Sequence, residues 1–222
     1  MNKFEKVSQN EYNKAVESDC GARNGVLSVC TYDNIKLPRR ATVCSAGYDF
    51  FSPISFKLKP GQTIKVPTFI KARLNHRRVL MLFPRSSYGF KFRMQLDNTV
   101  GVVDGDYYNN ESNEGHIFIK ITNDSKTGKT LEVNAGDAFA QGIIMGYEIT
   151  DDDEVTDKRT GGIGSTSKPQ KFDMSKKCGL EYFNKWNQMN KGQITYEEFI
   201  NWFNMNCEKC KYMSEICMYG EE

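Results

Sequence analysis

From residue 31 to residue 150 the chain is a succession of short runs in which apolar and polar residues alternate, each closed by Gly, Pro, Asn or Asp. Ile54, Phe56 and Leu58 alternate with polar neighbours, Pro60-Gly61 marks a turn, and Ile64 and Val66 resume the alternation. Further strands are expected over 68–74, 79–83, 116–122, 130–133 and 138–147. A period of two turns one face of each strand toward a core, while the turn residues keep successive runs from merging into helices. Many short strands with no helix of consequence among them predict an all-β sandwich or jelly roll for residues 31–150.

The flanks read differently. Ser8-Gln9-Asn10-Glu11 has capping-box spacing, with Val7 and Tyr12 placed as a hydrophobic staple, so residues 1–30 are expected to be an N-terminal helical segment with a helix over 9–17. Asp151-Asp152-Asp153-Glu154 followed by Gly161-Gly162-Ile163-Gly164-Ser165-Thr166-Ser167 predicts a flexible arm over 151–171. Residues 172–222 carry Tyr182, Trp186 and Met189, then Phe199, Trp202 and Phe203, at helical spacing, and predict a small helical extension.

The 222 residues, with 30 Lys+Arg against 28 Asp+Glu, leave a net charge of +2, which gives no electrostatic reason to expect nucleic acid or an acidic membrane as partner. No apolar run has membrane-spanning length and the first residues lack an apolar signal region, so a cytoplasmic protein is expected. Of seven cysteines, Cys20, Cys30 and Cys44 have no framework spacing and are read as reduced thiols. Cys178, Cys207, Cys210 and Cys217 have the thiolate count of a tetrahedral Zn²⁺ site. A second CxxC is missing, however, and reduced cysteines in a helical cluster are the commoner outcome.

Three stretches carry groups that chemistry needs. Val100, Val102 and Val103 are strand formers, and Asp104-Gly105 after them predicts a two-residue hairpin turn with Gly105 at positive φ. Asp104 then stands at the lip of the turn, able to accept a proton from water, beside backbone groups free to pair with a planar ligand. An Asp-Gly turn alone is more often plain surface, so its company decides. Pro84-Arg85-Ser86-Ser87 ends an apolar strand with a charged fork and two hydroxyls, which suit phosphate oxygens. The glycine-rich arm lets backbone N–H groups approach an anion, with Arg159, Ser165 and Thr166 adding donors.

Taken in order, five segments resemble the five motifs of the trimeric deoxyuridine triphosphatase (dUTPase) family: Ser45-Ala46-Gly47-Tyr48-Asp49; Pro84-Arg85-Ser86-Ser87; Gly101-Val102-Val103-Asp104-Gly105-Asp106-Tyr107; Gly136-Asp137 with Ala140-Gln141; and Arg159 with Gly161 to Thr166. The resemblance implies a jelly roll assembling as a homotrimer, with sites between subunits and the arm closing over a neighbour. It implies hydrolysis of dUTP to dUMP and pyrophosphate, with Asp104 activating the water that attacks the α-phosphorus. Asn98 and the backbone of Gly101 and Val103 would meet the uracil edge, and Tyr107 would pack under deoxyribose. Arg85, Ser86, Ser87 and Gln141 would hold phosphates, as would Arg159 with Gly164, Ser165 and Thr166 of the arm, while Asp49 orders Arg85 or the waters of the metal. Mg²⁺ would ride on the triphosphate and water, with no direct protein ligand, as befits an ion that dehydrates reluctantly.

The chain departs from the family pattern in several places. Ile163 stands where an aromatic residue usually stacks on uracil, an interaction worth roughly 0.5–1.5 kcal/mol beyond area burial, so weaker closure is expected. The spacing from Arg159 to Gly161-Gly162 is one residue short. A polar insert, residues 109–114, reads as a longer surface loop, with His116 beside it at a strand edge and His76 in a solvated turn. A sibling family deaminates dCTP and needs a glutamate where this chain has Lys120, which disfavours deamination. The long extension raises a different alternative, a dUTPase-like scaffold whose residues 172–222 bind a protein partner.

Overall fold

The expected helix forms, and its cap shows how tertiary structure rewrites a local motif. In this computed structural model Ser8 accepts the Glu11 N–H at 3.1 Å and opens α1 (Gln9–Asp19), two residues longer than expected. Glu11 does not complete the box. The Ser8 N–H goes instead to Glu114, at 3.0 Å and 106 positions away, while Glu11 turns inward and is buried. Val7 is buried, and the half-buried Tyr12 ring packs tilted against Phe69.

The structure describes residues 1–21, 25–156, 159, 161, 184–185, 188–189 and 191–207, of which 203–207 in backbone alone. They fall in two compact units, Met1–Thr166 and Ser167–Glu222. In the first unit the helix is flanked by strands that the sequence reading did not anticipate. β1 (Lys3–Lys6) and β2 (Val26–Val29) lie ahead of β3 (Arg39–Arg40), β4 (Tyr48–Phe51), β5 (Ile54–Leu58), β6 (Thr63–Pro67) and β7 (Ile70–Arg73). β8 (Arg78–Pro84), β9 (Met94–Leu96), β10 (Gly101–Val103), β11 (Phe118–Asn123), β12 (Leu131–Val133) and β13 (Ala138–Gly146) follow.

Every pairing is antiparallel. The five-stranded sheet runs β10-β8-β13-β4-β3, and smaller sheets run β6-β11-β9, β12-β5-β2 and β1-β7. The fold is the all-β, jelly-roll-like core that the alternating runs predict, because the alternating strands bury one face. Ile54, Phe56 and Leu58 are inside while Lys57 is outside, and Ile119 and Ile121 are inside while Lys120 is outside. Phe50, Phe56, Phe69, Phe139, Leu80 and Leu131 are among the largest fully buried side chains of the core. A second helix, α2 (Ser86–Phe92), lies between β8 and β9, where no helix was expected.

Cys20, Cys30 and Cys44 are free, and burial pushes the Cys20 thiol up to about 11. No helix among the described residues is long and apolar enough to cross a membrane. In the second unit α3 (Tyr196–Cys207) begins with a complete capping box. Thr195 accepts the Glu198 N–H at 3.2 Å, and Glu198 accepts the Thr195 N–H at 2.7 Å. Tyr182 and Trp186 of the preceding helical pattern lie outside the described residues, as do Cys178, Cys210 and Cys217 of the zinc reading. For Cys207 the backbone alone is described. Among the described residues no group of three or more His, Cys, Asp or Glu is placed to hold a metal ion.

Candidate active site

The acid-bearing turn is built by β10 at the edge of the large sheet. Gly101 pairs with Leu82, Val102 with Met81 and Val103 with Leu80, so Val103 is buried and Val102 faces out. The hairpin expected after Val103 is not there. Asp104 is extended, with φ −75° and ψ 158°, and Gly105–Tyr107 form a single 3₁₀ turn closed by the Tyr107 N–H on the Asp104 carbonyl at 3.2 Å. Gly105 is not among the positive-φ residues. The reason lies in the topology: the next strand, β11, belongs to another sheet, so the chain must leave β10 rather than fold back beside it.

That turn points Asp104 and Asp106 outward, with side chains 50% and 57% exposed, and Tyr107 inward. Arg159 lies across all three. Its Nη2 meets Asp104 Oδ2 at 2.8 Å, its Nε meets Asp106 Oδ1 at 3.1 Å, and its guanidinium carbon sits 5.5 Å from the Tyr107 ring centre. Sequence reasoning assigned Arg159 to phosphate and gave Asp106 no role, yet here one fork spans both carboxylates.

A second cluster forms where β4, β13 and β8 run side by side. Gln141 stands opposite Asp49 on one side and Phe83 on the other. Asp49 Oδ2 lies 3.4 Å from Arg85 Nη1, Gln141 Nε2 donates to the Pro84 carbonyl at 3.3 Å, and Ser86 and Ser87 stand exposed in the first turn of α2. Gly47 packs closely on this amide: a Cβ there would lie 2.9 Å from Gln141 Oε1, so any larger residue would displace the Gln141 side chain. The first, second and fourth motifs thus converge on one corner.

The two clusters do not meet within the protomer. β10 runs antiparallel to β8, so Asp104 lies beside the Val79 end and Arg85 follows the other end, about 20 Å away at the usual strand rise. Asn98 is exposed and precedes β10 at the Arg85 end. Ile163, Gly164, Ser165 and Thr166 lie outside the described residues, and of their motif only Arg159 and Gly161 lie within them.

The insert and His116 differ from expectation. His116 is fully buried rather than at an edge: its Nε2 accepts the Phe69 N–H at 3.0 Å and its Nδ1 faces Glu11 Oε1 at 3.1 Å. The accepting Nε2 carries no proton, so the ring is neutral with Nδ1–H donating to Glu11. Burial pushes the imidazole down to about 3 and raises the Glu11 carboxyl. Asn110 of the insert is buried as well, whereas His76 is exposed as expected. The signal available in the sequence was the run of asparagines, which fold a loop onto itself through side-chain-to-backbone bonds.

A jelly-roll-like β protein with an acid-bearing turn at one end of a strand and an arginine–hydroxyl–amide corner at the other defines a class suited to phosphorylated ligands. The family model for dUTPase matches residues 33–167. The deoxyuridine 5'-triphosphate nucleotidohydrolase of Lactococcus lactis subsp. lactis is 40% identical over 146 residues, covering 64% of this chain and 96% of that protein. The protein of the same name from Hahella chejuensis is 34% identical over 142 residues, covering 60% and 88%. Among solved structures, the crystal structure of dUTPase from Streptococcus mutans aligns at 40% identity with a TM-score of 0.49, covering 57% of this chain and 96% of that one. The chain belongs to the dUTPase family.

Proposed function

We propose that this protein hydrolyses dUTP to dUMP and pyrophosphate, with Asp104 as the general base for water attacking the α-phosphorus. The observation that carries the reading is the family match over residues 33–167, which spans both clusters. The Asp104 carboxylate stands half exposed at the end of the edge strand β10, open to water. Tyr107 supplies a flat, buried surface beside it for deoxyribose. The exposed edge of β10 and Asn98 offer backbone and amide groups to uracil.

Arg85, Ser86, Ser87 and Gln141 bind the phosphate chain, with Asp49 holding the Arg85 fork in register. The α- and γ-phosphorus atoms are separated by only two P–O–P links, far less than the span between Asp104 and Arg85 on one protomer. The acid of one subunit is therefore completed by the arginine corner of a neighbour, which supports a homotrimer with shared sites. Arg159 exchanges its two carboxylates for phosphate oxygens when substrate enters, which frees Asp104 to take a proton. The residues fit Mg²⁺ carried on the triphosphate: Asp49, beside the phosphate-binding corner, can orient water on the ion. When bound, the ion supplies charge neutralisation on the phosphates, the larger part of catalysis in phosphoryl transfer.

The test is pyrophosphate release with Mg²⁺ across dUTP, dCTP, dTTP and UTP, with ammonia release from dCTP followed in parallel. Turnover confined to dUTP is expected. Equal turnover of dTTP, or ammonia without pyrophosphate, would overturn the reading. Lys120, exposed and paired with Asp97 at 2.9 Å, offers no carboxylate for deamination.

A further inference from the structure

Two asparagines of the insert after the acid-bearing turn reach back to Tyr107. Asn113 Nδ2 donates to the Tyr107 hydroxyl at 2.9 Å, and that hydroxyl donates to the His116 carbonyl at 2.9 Å. At the other end of the same residue, Asn110 Nδ2 donates to the Tyr107 carbonyl at 2.9 Å. The two asparagines are joined by Asn110 Nδ2 on Asn113 Oδ1 at 2.8 Å, and Asn113 Oδ1 also takes the Gly115 N–H at 3.1 Å. Asn110 Oδ1 accepts from the backbone of Ser112 and Asn113, at 3.0 and 3.2 Å. Tyr107 is therefore tethered at its backbone and at its hydroxyl, 7% exposed, by one closed network.

The network is itself anchored outside the loop. Glu114 accepts from Ser8 at the head of α1 and from Lys71 of β7 at 3.3 Å, and the same lysine donates to Asn109 at 2.7 Å. Gly115 closes the loop at φ +79°, where a Cβ would lie 2.6 Å from the Tyr107 carbonyl oxygen. The buried Asn110 amide is satisfied at both its oxygen and its nitrogen, so the loop is held against Tyr107 in a single arrangement.

We infer that residues 109–116 are a brace for the Tyr107 ring, with Asn113 and Asn110 as positioning residues for the discrimination of deoxyribose from ribose. The inference rests on the dUTP-hydrolysis reading above. A 2'-hydroxyl adds a single oxygen, and a ring free to shift by about 1 Å would make room for it, so rejection depends on how firmly the ring is held.

The test compares kcat/KM for dUTP and for UTP in the full-length wild type, Asn113→Ala, Tyr107→Phe and the double variant. The dUTP:UTP ratio is expected to fall about fivefold or more in each single variant, the scale of one buried hydrogen bond, and no further in the double variant. Partial unfolding lowers both substrates alike and leaves the ratio unmoved, so the ratio separates positioning from stability. Tyr107→Phe keeps the ring and its packing and removes only the tether, so it decides the matter even if Asn113→Ala does not fold. A ratio within about twofold of wild type in Tyr107→Phe overturns the brace while dUTP turnover by the wild type stands. A wild type that releases no pyrophosphate from dUTP overturns the functional reading, and the brace with it.

Discussion

Acidification should weaken this fold through His116, by an amount that the structure lets one calculate. The ring is fully buried, its Nε2 is committed to the Phe69 N–H, and its folded value is pushed down to about 3 from 6.5. With the folded value below the unfolded one, the unfolded chain takes up the proton first. Stability is then intact above about pH 6.5 and falls as the pH drops toward 3, by about 1.4 kcal/mol per unit. Between about pH 7.5 and 4.5 this comes to roughly 2–3 kcal/mol. The charged groups around the ring act in both directions. Glu11, its own carboxyl raised, gains stability over the same acid range, Asp19 and Glu114 favour the imidazolium, and Lys65 opposes it.

The contribution is isolated by comparing urea unfolding of wild type with His116→Gln, whose amide oxygen can accept from Phe69, at one protein concentration and several pH values. The variant is less stable at neutral pH, and the gap should narrow by roughly 2–3 kcal/mol on going to pH 4.5, because glutamine takes up no proton. Glu11→Gln should show the opposite drift. A gap constant to within about 0.5 kcal/mol across that range would refute the neutral, desolvated imidazole and the bond order drawn around it.

Asp104→Asn should lower kcat for dUTP by about 10²-fold or more with little change in KM, and near-wild-type turnover would remove Asp104 as the base. Gly115→Ala should cost about 2 kcal/mol or more in unfolding measurements, since the new Cβ meets backbone at positive φ. Chelation of Mg²⁺ should stop pyrophosphate release and re-addition restore it, whereas turnover that survives chelation would contradict the role given to the ion. Removing residues 172–222 should leave dUTP kinetics intact because the matched family segment ends at residue 167. Lost turnover would place the extension in the site.

The alternation of Ile54, Phe56 and Leu58 or of Ile119, Lys120 and Ile121 was enough to foresee an all-β fold, because burial of one strand face is written in adjacent residues. The same holds for the motif residues: Asp49, Arg85, Gln141 and Asp104 were found by order along the chain, and the fold brings the first three to one corner. Short strands such as β1 and β9 carried too little pattern to be read, since their pairing is decided by partners far along the chain.

What only tertiary structure decided were choices between equally good local options. Asp104-Gly105 suits a hairpin, but β11 lies in another sheet, so the turn became 3₁₀. Ser8 and Glu11 suit a capping box, but Glu114 and His116 compete for them and burial favours the distant partners. The asparagines of the insert read as surface until Tyr107 was there to receive them. Local sequence specifies which hydrogen bonds a segment can make, whereas which of them it does make depends on groups that meet only when the core closes.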